Sequence, residues 1–408
     1  MHCAATGRVI AIAVLGLAAC VPAAPPPLVH AVYVWQRQWQ PPVSEALTRA
    51  APHVAALRVL AAEIGPDGTE AVARVDLAAL QAAGRPLTAV VRVDGRLAPA
   101  AAQLTATVAR AVGVWRTSGL PLAAVELDYD CPRARLRDYA ALVRAVRAGL
   151  PAGVRLSITA LPDWLHSADL PPLLALVDSS VLQVHAVEAG ATDLVNASHA
   201  LDWARAYAAL SPHPFWVALP CYGSALYTDA DDRPVALESE APRFLSGLNR
   251  RELSADPAAM AALVQQLTRA RLARLAGIVW FRLPTAEDRR AWSLATWLAV
   301  VDGRALTPRF RVERHAGAGS GSIDVVLANI GDLDAPPPAF IDVRPACPQA
   351  DAVNGYGVRQ DGGQTTFVRT RTTTLRAGRS VVIGWLNCPT PATLTVRAVA
   401  APGGSTSP

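Results

Sequence analysis

The sequence predicts an α/β fold, a (β/α)8 barrel of the TIM type followed by a small all-β sandwich domain. Eight apolar segments of strand length recur between residues 30 and 284. Helical patterns separate most of them, and this alternation is typical of a closed parallel barrel. After Arg309 the pattern changes to short alternating strands with Gly and Pro turns, which indicates a sandwich. The chain has 408 residues, 52% of them hydrophobic, which is enough for one large and one small core.

The expected elements follow in chain order. The eight strands cover residues 30–36, 54–64, 87–95, 123–130, 154–162, 179–188, 214–223 and 276–284. The clearest helical patterns cover residues 99–117, 133–149, 196–210 and 256–275. The connections after the first and fifth strands are short. A polar insert at residues 224–255 is expected on the top face of the barrel, either beside a site or as a solvated excursion.

Residues 1–19 have the features of a bacterial lipoprotein signal. Their apolar run, residues 9–19, is too short to span a bilayer. It ends in LAAC at residues 17–20, which predicts cleavage before Cys20 and lipidation of its thiol. An ordinary signal peptide with a chance cysteine is the alternative. Residues 20–29 would then form a proline-rich tether, and the expected location is the bacterial cell envelope, in the outer membrane facing the periplasm.

The composition argues against several classes of protein. The net charge of +5 comes from arginines that are scattered without a basic run, so no nucleic-acid partner is expected. A lipid anchor is the only membrane attachment expected. No CxxC or HExxH spacing indicates a metal site, and no cofactor is expected. In an oxidising compartment a disulfide between Cys347 and Cys388 is plausible, and one between Cys131 and Cys221 is possible.

The change of pattern near residue 307 divides the chain. It places the barrel at residues 30–304, the sandwich domain at 305–402 and a disordered tail at 403–408. Such a domain either binds sugar or packs against the barrel. Since no row of exposed aromatic residues is evident, packing is favoured.

The fourth strand carries the strongest functional signal. Glu126, Asp128 and Asp130 alternate with apolar or aromatic residues, so the three carboxylates share one face. Buried carboxylates are costly unless they are paired or used. The alternatives are a structural ion-pair network and a catalytic carboxylate site at the carboxyl end of a barrel strand.

The same alternation, applied to the other strands, predicts further inward polar side chains. They are Arg58, Arg92, Asp94, Ser157, Thr159, Gln183, His185, Tyr222, Trp280 and Arg282. Aromatic residues also gather at strand ends, where they either pack or stack on sugar rings. Trp164 and Trp280 are the preferred sugar contacts.

Residues 124–130 resemble the fourth-strand signature of the chitinase-like glycoside hydrolases, in which two aspartates and then a catalytic glutamate alternate. Here a glutamate, Glu126, stands first and an aspartate, Asp130, stands last. The segments LDYDC, ITALPDWL, VLQVHAVE and ALPCYG more closely resemble domain-of-unknown-function family 3142, roughly over residues 30–300. The resemblance implies a glycosidase-like barrel and no settled activity.

Two functions are therefore open. The first is hydrolysis of an envelope or extracellular polysaccharide, with Asp130 as proton donor and Asp128 kept ionised by Arg92 or His185. Glu188 or a carboxylate of the insert would supply a second acid. Trp280, Trp164, His185, Gln183, Tyr222, Glu188 and Arg92 would contact the oligosaccharide. The alternative is an inactive barrel that binds glycan or an envelope protein.

Overall fold

A closed parallel barrel forms the first part of the protein. The computed structural model describes residues 27–185, 193–238, 246–319, 321–389 and 391–396. Its strands up to residue 281 are β1 (Val29–Val34), β2 (Ala56–Ile64), β3 (Glu70–Val72), β4 (Leu87–Val93), β5 (Leu122–Tyr129), β6 (Arg155–Ala160), β7 (Ser179–Gln183), β8 (Phe215–Pro220), β9 (Gly223–Thr228), β10 (Pro234–Glu238), β11 (Asn249–Ser254) and β12 (Leu275–Phe281). Eight parallel strands close the barrel in the order β1-β2-β4-β5-β6-β7-β8-β12, and β12 pairs back to β1. The predicted fold class is confirmed.

The helices surround the barrel. They are α1 (Pro41–Ala50), α2 (Leu77–Ala83), α3 (Ala101–Thr117), α4 (Leu136–Gly149), α5 (Leu170–Leu174), α6 (Ala197–Leu210), α7 (Pro257–Ala270) and α8 (Leu294–Val301). Asp76, Asn196 and Asp256 cap α2, α6 and α7 by accepting backbone N–H groups of the first turn. The short connection after β6 holds a 3-10 turn and the five-residue helix α5.

The two faces of the barrel strands differ in chemistry. Their outer faces are apolar and pack against the helices in one large core. The inner faces combine polar side chains with a smaller apolar cluster, made of Ala31, Tyr33, Trp35, Leu60, Val90, Val181, Ala218 and Val279. A core of this kind leaves the charged inner side chains to be satisfied by one another.

Trp280 lies on the outer face of β12, so the prediction that it points inward is wrong. It is fully buried, and its Nε1 donates to His30 Nδ1 at 3.1 Å. Gly277 fits the inner face of the strand, because a Cβ there would lie 2.5 Å from the Trp216 ring inside the barrel. The inward positions of β12 are therefore 277, 279 and 281.

The insert after β8 folds as a small antiparallel sheet in the order β10-β9-β11. Its central strand, β9, is buried along its whole length, which the polar character of the segment did not indicate. Asp229 accepts the backbone N–H groups of Asp231 and Arg233 and so caps its own turn.

Two four-stranded antiparallel sheets form the C-terminal part. Their strands are β13 (Phe310–Ala316), β14 (Ser322–Asn329), β15 (Phe340–Arg344), β16 (Gln349–Ala352), β17 (Tyr356–Asp361), β18 (Gln364–Arg369), β19 (Ser380–Asn387) and β20 (Thr393–Val396). The sheets, β13-β14-β19-β16 and β17-β18-β15-β20, share one apolar core. Cys347 and Cys388 form a disulfide, while Cys131 and Cys221 are buried free thiols. Within the described residues, no helix combines the length and the apolarity needed to cross a membrane.

The sandwich is docked on the barrel by two charged residues. The Arg376 guanidinium donates to the carbonyl oxygens of Asp288, Ala291 and Trp292 at 2.7, 3.2 and 2.6 Å. Asp334 accepts from the backbone N–H groups of residues 293 and 377 at 2.8 and 2.7 Å. Both contacts fix the segment that follows β12 at the carboxyl end of the barrel.

Candidate active site

Glu126 is the deepest of the three carboxylates that β5 points into the barrel. It accepts from the hydroxyls of Tyr33 at 2.6 Å and Ser157 at 3.0 Å, and it forms an ion pair with Arg58. Its exposed fraction is 0%. Because three donors satisfy Glu126 and no solvent reaches it, the carboxylate ties the strands together. The expectation that Glu126 is catalytic is therefore corrected to a structural role.

Asp128 lies two residues further along β5 and is still buried, with an exposed fraction of 6%. Thr159 Oγ1 donates to its Oδ1 at 2.8 Å, and Gln183 Nε2 donates to the same oxygen at 3.3 Å. Arg92 Nε lies 4.0 Å from the other oxygen. Side chains from β4, β6 and β7 thus converge on Asp128.

Asp130 follows the last residue of β5 and is exposed to solvent. Gln183 Nε2 lies 3.2 Å from its Oδ1, so a single amide contacts both aspartates. The end of β5 also passes close to Gly95, where a Cβ would lie 2.2 Å from the carbonyl oxygen of Asp130. Only glycine permits this approach without displacing the strand end.

The two aspartates differ in their affinity for protons. Burial raises the pKa of Asp128 to about 8, and the charge of Asp130 adds to the rise. Loss of hydration among the surrounding residues of the barrel mouth also raises the pKa of Asp130, although Arg92 and Gln183 oppose the rise. The pair therefore retains a proton near neutral pH, and Asp128 holds it. The expectation that Asp130 is protonated and Asp128 is ionised is wrong, because Asp128 is the less hydrated of the two.

Arg92 was expected to hold Asp128 but is shared with a second carboxylate. Its Nη1 donates to Glu63 at 3.0 Å, closer than its contact with Asp128. Glu63 also accepts from Arg37. Although burial opposes ionisation of Glu63, hydrogen bonds from Arg37 and Arg92 lower its pKa. A chain of charged groups thus connects Asp128 to Arg37 at the barrel mouth.

His185 lies in an aromatic cluster inside the mouth. Its ring stacks on Phe281 with centroids 6.0 Å apart and meets Tyr222 edge-on at 6.3 Å. Burial lowers the pKa of His185 to about 4, so the ring is neutral at neutral pH and cannot hold Asp128 as a cation. That predicted role is wrong. Its buried Nδ1 has no hydrogen-bond partner within the part of the chain that the structure describes.

Trp164 and Trp280 both lie in the outer layer, away from the barrel interior. Trp164 is fully buried in the outer layer, where its Nε1 donates to the carbonyl oxygen of Cys131 at 3.1 Å. It therefore supports the chain directly after Asp130. Trp280 lies on the outer face of β12 and is fully buried. The expectation that these two indoles stack on sugar is corrected for both, because an aromatic residue at a strand end can face either layer.

Other predicted positions lie elsewhere. Asp94 is held by the backbone and guanidinium of Arg96 beyond the end of β4. Arg282 is buried against Asp288, with Nη2 and Oδ2 2.7 Å apart. Glu188 and Cys20 lie outside the described residues. Among the residues described, no group of three or more His, Cys, Asp or Glu is suited to a metal ion.

Sequence reasoning missed Tyr33, Glu63 and Phe281. Tyr33 alternates with Ala31 on β1 and with Trp35 directly after it, and that alternation could have indicated the inner face. Glu63 had no such signal, because β2 is apolar on both sides of it and is irregular between residues 60 and 62.

The fold and this arrangement define a class of protein, a closed (β/α)8 barrel with a carboxylate pair at the carboxyl end of one strand. The chain belongs to the domain-of-unknown-function family DUF3142, whose model matches residues 83–286, half of its length. A second domain of unknown function, DUF8456, matches residues 312–389. No curated protein matches the sequence.

Solved structures share the fold at low sequence identity. The spore cortex-lytic enzyme SleL of Bacillus megaterium is 12% identical, with a TM-score of 0.50 over 71% of this chain and 77% of that chain. A chitinase from Chromobacterium violaceum is 15% identical, with a TM-score of 0.48 over 67% of this chain and 98% of that chain. At this identity the likeness to SleL establishes the barrel fold alone.

Proposed function

We propose that the protein is a glycoside hydrolase of the bacterial cell envelope that cleaves a polysaccharide by carboxylate acid/base catalysis. The observation that carries the proposal is the pair Asp128 and Asp130. It retains a proton near neutral pH, and its outer member is exposed at the carboxyl end of a barrel strand. The fold shared with SleL supports the proposal at the level of architecture only.

In this proposal Asp130 protonates the bridging oxygen as the bond from that oxygen to the anomeric carbon breaks. Because Asp128 holds the proton that the pair retains, this proton passes from Asp128 to Asp130 before Asp130 delivers it to the bridging oxygen. A second group must stabilise the anomeric carbon, either the acetamide of the substrate or a carboxylate such as Glu188. Water then adds to that carbon and returns a proton to Asp130, which completes hydrolysis.

The test is release of new reducing ends from envelope and extracellular polysaccharides by the purified protein. Asp130→Asn should reduce the rate by roughly a hundredfold or more, since the variant cannot donate a proton. Asp138→Asn, on the exposed side of α4, removes the same charge and should keep the wild-type rate. An Asp130→Asn variant with the wild-type rate would refute the enzymatic role. Since the proton leaves Asp128 at about pH 8, activity should decline above that pH.

The alternative function is a glycan-binding barrel without catalysis. It is favoured by Asp130, which is one methylene shorter than the terminal glutamate of the chitinase-like pattern. Binding of an oligosaccharide without turnover, lost neither in Asp130→Asn nor in Asp138→Asn, would support this alternative.

We further propose that the chain is anchored by lipid on Cys20. The support is the LAAC pattern behind an apolar run at residues 9–19. Cys20→Ala should move the protein from the membrane fraction to the soluble fraction. Sedimentation of the variant with membranes after a salt wash would count against the anchor.

A further inference from the structure

A cavity of about 470 Å³ lies in the barrel mouth, at the carboxyl ends of β1 and β12. Its lining after β1 is Trp35, Gln36, Arg37 and Gln38, and its lining after β12 is Arg282, Thr285, Glu287, Asp288, Arg289 and Arg290. The charged chain through Arg92 and Glu63 connects this cavity to Asp128. The cavity therefore belongs to the same barrel mouth as the carboxylate pair, without containing either aspartate.

The lining is cationic. It holds four arginines against two carboxylates, a formal charge of +2. Arg37 is held by Glu63 and Arg282 by Asp288, so these guanidiniums are fixed in position. Arg289 is exposed and has no ion-pair or hydrogen-bond partner among the described residues. The cavity thus combines fixed cations with one cation that is available to a ligand.

The segment that carries Arg289 and Arg290 is held from two sides. Asp288 Oδ1 accepts the backbone N–H groups of Arg290 and Ala291, both at 3.0 Å. From the sandwich, Arg376 donates to the carbonyl oxygens of Asp288 and Ala291. A wall that is fixed before the ligand arrives loses little conformational freedom on binding.

The part of the lining that follows β1 adds uncharged groups. Gln36 Oε1 is buried and has no hydrogen-bond partner within the described part of the chain. If the Gln36 amide turned toward the cavity, a sugar hydroxyl would satisfy this acceptor. Trp35 also lines the cavity, but its ring is buried against Tyr33 and Phe281, so it shapes the wall and offers little surface for stacking.

We propose that this cavity binds the carboxylate of an acidic sugar within the glycan, with Arg289 as its direct partner. A guanidinium pairs with a carboxylate through two parallel hydrogen bonds, which makes the interaction both strong and directional. The inference rests on the proposed function, because it names the substrate class for the same barrel mouth. The carboxylate could belong to a uronic acid or to an ether-linked lactyl group, and both sources share this chemistry.

The test is calorimetric titration of the full chain with matched pairs of sugars at low salt. N-acetylmuramic acid is paired with N-acetylglucosamine, and glucuronate is paired with glucose. At least one acid should bind about tenfold more tightly than its neutral partner, and the difference should shrink at high salt. Whichever acid binds more tightly identifies the source of the carboxylate.

Two variants complete the test. Arg289→Gln should weaken binding of the acid about tenfold and leave its neutral partner unchanged. Arg144→Gln, on the exposed side of α4, removes the same charge away from the mouth and should change neither. Equal binding of acid and neutral sugar, binding of neither acid, or an unchanged Arg289→Gln variant would overturn the proposal.

The outcomes also separate this inference from the proposed hydrolase. Asp130→Asn should bind the acidic sugar as the wild type does, because Asp130 does not line the cavity. Acid binding that depends on Arg289, without turnover of any glycan, would leave the cavity site standing and remove the hydrolase. Equal turnover of neutral and acidic glycans would support the hydrolase and remove the acidic-sugar site.

Discussion

Asp128 and Asp130 point from the same face of β5, but only Asp130 is exposed to solvent. The difference in hydration assigns the retained proton to the inner carboxylate. It also explains how two close carboxylates coexist, since only one of them needs to be charged near neutral pH. The outer carboxylate is the one that solvent reaches.

The raised pKa of Asp128 makes a prediction about stability. Between about pH 4 and about pH 8 the folded state holds a proton on Asp128 that the unfolded state has released, so the free energy of unfolding should fall as the pH rises through this window. Asp128→Asn should flatten that fall, because an amide resembles the protonated acid and does not titrate. Urea denaturation of both proteins across this range measures the difference. Identical pH profiles for the two would show that Asp128 is ionised throughout.

The close approach of Gly95 to Asp130 predicts a positional effect on activity. In Gly95→Ala the new Cβ must push away the carbonyl oxygen of Asp130, so the carboxylate should shift and turnover should fall at least about tenfold. Gly113→Ala is the matched control on α3, where a new Cβ meets nothing within 4 Å. It should keep full activity and gain slightly in stability. Thermal unfolding alongside initial rates distinguishes displacement of the site from general unfolding, and equal rates for both variants would remove the positional role.

The sequence predicted the barrel and the acidic face of β5 for a physical reason. When charged and apolar residues alternate along a strand, only one orientation of the strand packs the apolar side chains against the helices. Glu126, Asp128 and Asp130 therefore indicated the inner face directly. On β12 the run Ile278–Phe281 is apolar on both faces, and the orientation of Trp280 could not be read from it. Gly277 is consistent with the observed orientation, since only a residue without a Cβ leaves room there for the Val29 carbonyl oxygen and the Trp216 ring, contacts distant in sequence.

The individual roles of the three acids were harder to predict from the sequence than the face of the strand on which they lie. They depend on which donors from β1, β2, β4, β6 and β7 meet each carboxylate and on how much water reaches it. Glu126 is neutralised by Arg58 and hydrogen-bonded by Tyr33, partners distant in sequence. No local pattern reports such a contact.

The disulfide between Cys347 and Cys388 predicts a defined thiol count. A chain that begins at residue 27, unfolded without reductant, should expose only the thiols of Cys131 and Cys221, and reduction should double the count. Replacing both bridged cysteines by alanine should lower the stability of the sandwich by about 4 kcal/mol, as expected for closing a loop with a sequence separation of 41 residues. Titration with a thiol reagent in denaturant measures the count. Four reactive thiols before reduction would contradict the disulfide.

The docking of the sandwich on the barrel predicts a loss of stability from a single exchange. Arg376→Gln removes a guanidinium that donates to three backbone carbonyl oxygens and leaves them short of donors, at an expected cost of about 2 kcal/mol or more. Because those carbonyls belong to the segment after β12, proteolytic cleavage near residues 285–292 should also become faster. Arg371→Gln, an exposed arginine on the same domain, should change neither measurement.

Removing residues 305–408 should have a larger effect in the same direction and leave a folded barrel with a protease-sensitive mouth. A truncated chain without cooperative unfolding would show that the barrel needs the sandwich to fold, and an Arg376→Gln variant as stable and protease-resistant as the wild type would show that this docking contact contributes little.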